Sequence, residues 1–86
     1  MSTLRVTPEQ LRQVAGQLNQ YAEQIGQLEG ASRTAVDQID WTGSTHQPVI
    51  EGQINDIAAT IRETQGRMHN AAAQLTAYAS RIDEAR

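Results

Sequence analysis

The chain has 86 residues, of which 38% are apolar, and a formal net charge of −3. That is one small domain with a modest core, and with no cysteine neither a disulfide nor a thiolate metal site reinforces it. Its seven basic residues are all arginine and lie scattered from Arg5 to Arg86 without forming a stripe, which argues against nucleic acid and against an anionic membrane surface as partners.

The opening Met1-Ser2-Thr3-Leu4-Arg5-Val6 lacks the apolar stretch of a secretory signal, and no apolar run is long enough for membrane insertion. The expectation is a chain made in the cytoplasm that, if secreted, leaves without a cleaved signal peptide.

The first helix is predicted to start at Thr7-Pro8-Glu9-Gln10. Thr7 suits the N-cap, Pro8 suits the first helical position, and Gln10 completes a capping box. From there an apolar residue recurs every seven. One set of core positions is Leu11, Leu18, Ile25, Ser32 and Ile39. The other is Val14, Tyr21, Leu28 and Ala35, with Ala15, Ala22 and Val36 widening the stripe. This is a helix–helix packing face, broader than a strict coiled-coil seam.

The repeat breaks at Asp40-Trp41-Thr42-Gly43-Ser44-Thr45-His46-Gln47, close to the midpoint of the chain. Trp41 is the only tryptophan, and there is no phenylalanine. Gly43 suits a reversal that needs positive φ. Either Ser44 or Thr45 suits the cap of the next helix, with Pro48 in its first turn.

The second repeat is cleaner. Ile54, Ile61, Met68, Leu75 and Ile82 share one core position. Ile50, Ile57, Thr64, Ala71, Tyr78 and Ala85 share the other, while Ala58, Ala72 and Ala79 flank the seam and permit close helix approach.

These elements predict an all-α fold in a single domain over 1–86. Helix 1 covers about 8–39, the turn 40–47 and helix 2 about 48–84. The two helices, each roughly 45 to 55 Å long, form an antiparallel hairpin. One continuous helix is the alternative, and Gly43 and Pro48 argue against it. A lone hairpin leaves half of each broad stripe in water, so dimerisation into a four-helix bundle is expected.

The Trp41-Thr42-Gly43 tripeptide between two heptad helices, in a chain of this size, resembles the WXG100 family, which includes the early secreted antigenic target group. The resemblance covers the whole chain in architecture and rests, residue for residue, on Trp41 and Gly43. It implies a helical hairpin that pairs as a homodimer or a heterodimer with another WXG100-like chain. It also implies export as a folded dimer by the ATPase complex of a type VII (ESX-type) secretion system, some members serving as secretion partners of larger effectors.

The family's C-terminal export signal is a tyrosine followed, four residues on, by an acid. Here Ile82 holds that place after Tyr78, and the acids Asp83 and Glu84 come one and two residues late. The segment is a degenerate candidate signal, or the partner supplies the signal. For Trp41 the resemblance implies a role in a composite signal with the partner's C-terminal segment, alongside a plain role as a plug that pins the turn. Tyr78 also reads as a core-edge aromatic with its hydroxyl at the rim.

No enzymatic chemistry is expected. Asp37 with Asp40, and Asp83 with Glu84, read as solvated helix-end charges, because a two-helix hairpin offers no concave pocket for an acid–base pair. His46 and His69 lie too far apart along the hairpin to share a metal. No cofactor is implied. An intracellular helical dimerisation or adaptor module that is never exported predicts the same fold.

Overall fold

The computed structural model describes residues 5–85, which form two long helices packed side by side: α1, Pro8–Asp37, and α2, Gln47–Glu84. The hairpin measures 70 × 18 × 16 Å.

α1 begins as its residues dictate. The Gln10 backbone N–H donates to Thr7 Oγ1 (3.2 Å), and the Thr7 N–H donates back to Gln10 Oε1 (3.3 Å). Both donors would otherwise lack an intrahelical acceptor. Pro8 occupies the first turn and is buried.

The far end departs from expectation. α1 stops at Asp37, and Ile39 lies beyond it, about half exposed. Gln38 N–H closes the last turn onto Thr34 and Ala35 carbonyls. The Asp40 carboxylate then captures the Thr42 N–H, a local bond that competes with helix propagation.

α2 begins at Gln47 with His46 at the cap, so neither Ser44 nor Thr45 caps it. Ser44 Oγ instead accepts the His46 N–H (3.1 Å) and stabilises the approach to the helix. At the other end Arg81 sits in the last turn, where a cation favours the helix dipole.

The packing between the helices corrects the expected division of the stripe. With Pro8, the buried apolar residues are Ala15, Ala22, Ala58, Ala72 and Ala79, these alanines each at 4% exposure or less. They are the centre of the seam, not its margin. Leu11, Leu18 and Ile25 on α1, and Ile50, Ile54, Ile61, Met68, Leu75 and Ile82 on α2, are half-buried beside them. Val14, Tyr21, Leu28, Ile57 and Tyr78, read above as a core row, are 41–65% exposed. Ala35, Thr64 and Ala71 of the same rows are exposed too.

The reason is size. Alanine against alanine lets two helix axes approach closely, and the distance between packed helices is set by the side chains at the contact. Once the small row is the line of contact, the bulky row must turn outward.

One seam position is polar. Gln65 follows Ala58 by seven residues and precedes Ala72 by seven. Its amide Nε2 donates to the carbonyl of Ala22 across the hairpin (2.7 Å). Gly26 makes that possible: a Cβ there would stand 2.5 Å from Gln65 Nε2. Ser32 and Thr64 do not meet; each hydroxyl donates to the carbonyl one turn back in its own helix, Leu28 and Thr60.

Candidate functional site

Two features stand out above the scaffold: the turn at the apex and the bulky row along one edge.

The turn is built on Gly43. The Ser44 N–H donates to the Trp41 carbonyl (2.9 Å), and Gly43 has φ +80°, the one positive φ among the described residues. With Thr42 at negative φ and glycine third of the four, this is the pattern of a type II turn. Asp40 braces it through Oδ1, which accepts the Thr42 hydroxyl (2.6 Å) and backbone N–H (3.0 Å). Trp41 is half-buried at this apex, with exposed Ile39 and Val49 near it in sequence.

Open space surrounds the Gly43 Cα, so a side chain there meets no clash and the cost is purely conformational. Gly43→Ala is expected to lower unfolding free energy by about 1–2 kcal/mol in urea titrations, with Gly43→Asn losing less. Equal stability of all three proteins would mean that the turn does not need its positive φ.

The turn also carries a pH dependence. The Thr42 hydroxyl, and then the Thr42 N–H, hold the Asp40 carboxyl below its ordinary pKa. A depressed folded-state pKa contributes stability above the unfolded value, and that contribution is lost as pH falls through the folded one. Thermal melts should therefore show an extra loss of stability below about pH 4 that is missing in Asp40→Asn. Parallel pH profiles for the two proteins would refute the brace.

The long edges of the hairpin are unlike each other. One is polar and closed: Arg12 pairs with Asp83, the His69 ring Nδ1 bonds Asn19 Oδ1 (2.6 Å), and Arg33 Nη1 donates to Asn55 Oδ1 (3.2 Å). His69 is thus exposed yet engaged across the helices. Near the apex this edge widens into an open groove of about 240 Å³ lined by Arg33, Val36, Asp37, Glu51, Ile54 and Asn55. Its arginine is already bonded to Glu29 and Asn55.

The other edge is apolar and open. Val14, Tyr21 and Leu28 of α1 run along it, and Ile57 and Tyr78 of α2 run along it in the opposite direction. Between them lie the half-buried rows through Leu18 and Ile61.

The predicted residues therefore separate into three places. Trp41, Thr42 and Gly43 form the turn. Tyr78 stands on the open edge, whereas Asp83, five residues later, is held by Arg12 on the closed edge. Glu84 is the last residue of α2 and is exposed. Tyr78 and Asp83 do not form one patch. The cross-helix partners Arg12, Asn19, Gln65 and His69 escaped the sequence reading, because only the register of the hairpin brings them together.

Comparison with models of known families, with curated proteins and with solved structures gives no match. The chain is an all-helical antiparallel hairpin of two long packed helices.

Proposed function

We propose that this protein is a dimer-forming helical hairpin of WXG100 type, exported in folded form by a type VII secretion system as a substrate or as the secretion partner of a larger effector. The observation that carries the reading is a Trp-Thr-Gly turn with glycine at positive φ, at the apex of a hairpin that has one apolar edge open along its length.

The open face supports association by its size. A strip some 45 Å long and as wide as the hairpin presents on the order of 700 Å² per partner, near what stable protein interfaces bury. Isolated exposed apolar residues are ordinary, but five bulky ones aligned along one edge mark a contact surface.

The work is recognition. In an antiparallel pair of hairpins, the apex of one approaches the chain ends of the other. Trp41 beside the partner's C-terminal segment then forms a composite surface for the secretion ATPase to bind. Deleting that ATPase in a bacterium carrying the gene should remove the protein from the culture supernatant while leaving the cell-associated pool. Unchanged extracellular protein would discard the export reading.

A second reading, an intracellular dimerisation module, is favoured by one observation. The Arg12–Asp83 pair holds that acid on the edge away from Tyr78, so the acid and tyrosine do not present a joint surface. Confinement of the protein to the cytoplasm in secreting cells would select this second reading.

A further inference from the structure

The residues bordering the open apolar face say what should cover it. On each helix the border is the seven-residue series just outside the exposed bulky row. On α1 it runs through Gln10, Gln17 and Gln24, and on α2 through Arg67, Gln74 and Arg81, all exposed. The full series, 10, 17, 24, 31, 38 on one side and 53, 60, 67, 74, 81 on the other, contains no aspartate or glutamate.

The acids of this net-negative chain lie elsewhere. Asp83 is on the closed edge with Arg12, Glu29 is beside Arg33, and Glu63 is on the outward side of α2.

The two border arginines are poorly satisfied. Arg67 reaches back one turn to Glu63, but both side chains are more than 60% exposed, so that pair is weakly held. Arg81 has no ion-pair or hydrogen-bond partner among the described residues.

A second copy of this chain would offer these arginines only glutamine, threonine, alanine or another arginine along its own border. If α2 packed antiparallel against α2 of a second copy about Gln74, Arg67 would fall opposite Arg81. A face with an apolar centre, a border series free of acids and two arginines on its α2 side is complementary to an apolar face bordered by carboxylates.

We propose that the occupant is a different chain, an amphipathic helical partner with an acidic border, and not a second copy. This rests on the reading of the hairpin as a dimer-former, and it goes further by assigning the partner's chemistry.

The test uses a surrogate partner made from the same scaffold. Replacing Gln17→Glu, Gln24→Glu, Arg67→Glu and Arg81→Glu together keeps the apolar face and makes both borders acidic. All four positions are exposed, and far-ultraviolet circular dichroism checks that the fold is retained.

Self-association of the unaltered chain and its binding to the surrogate are measured by sedimentation and fluorescence anisotropy at low and high salt. The mixed pair should bind roughly tenfold more tightly than the unaltered chain binds itself, and the gap should close in high salt, as border charge pairs are screened. Arg67→Gln with Arg81→Gln in the unaltered chain should abolish the gap. A self-association as tight as the mixed pair would overturn the proposal and make the occupant a second copy, leaving the dimer-forming reading intact. No association in any mixture would overturn that reading as well.

Discussion

Ala22→Leu should unfold the hairpin or come close to it. Ala22 is fully buried at the middle of the line where α1 meets α2, and its carbonyl accepts the cross-helix bond from Gln65. Three further carbon atoms fit only if the helix axes move apart, which loosens the neighbouring alanine contacts and stretches the Gln65 bond. Overpacking a tight core costs about 3 kcal/mol at the upper end of its usual range. For a small domain that is a large share of total stability. Circular dichroism melts are the measurement, with Ala31→Leu as the control, since Ala31 is exposed and its enlargement should change little. If Ala22→Leu melted with the unaltered protein, the helices could not be packed on their alanines.

Leu28→Asp should have the opposite profile, a large effect on association and a small one on the hairpin. Leu28 is 65% exposed in the single chain, so a carboxylate there stays hydrated while the molecule is alone. Buried unpaired beneath a partner, it costs about 3 kcal/mol, roughly a hundredfold in affinity. Sedimentation velocity reports the loss of the associated species, and helix content from circular dichroism reports the hairpin. An unchanged assembly would remove the open edge from the contact surface. A collapse of helix content in dilute solution would show instead that Leu28 belongs to the hairpin core.

Much of the fold could be read from local chemistry. Thr7, Pro8 and Gln10 start α1 by satisfying its first donors, a rule that involves only neighbours in sequence. Gly43 marks the reversal because its backbone position suits few other residues. The seven-residue spacing reveals that each helix has an apolar stripe.

What spacing does not reveal is which row of a three-row stripe faces the sister helix. Ala15, Leu18 and Tyr21 all count as apolar, and periodicity is blind to their volumes. The decision is made by how near two backbones come, which is a property of the pair.

The same limit hid the Gly26–Gln65 fit. Within α1 alone Gly26 reads as a weak helix former, and within α2 alone Gln65 reads as a polar break in the pattern. Only the pairing shows that one makes room for the other. Asp83 is a similar case. Its distance from Tyr78 along the chain shows a shifted acid, while its engagement by Arg12 depends on a residue 71 positions away.

The unequal edges of the hairpin bear on how quickly a companion could attach. The contacts that zip the two helices along their polar side, Arg12 to Asp83, Asn19 to His69 and Arg33 to Asn55, are all on the flank remote from the bare hydrocarbon. An incoming molecule need not break any of them. On the proposed reading of the open edge as the contact surface, that surface is preorganised, so complex formation should proceed as rigid-body capture, without a slow opening step before it.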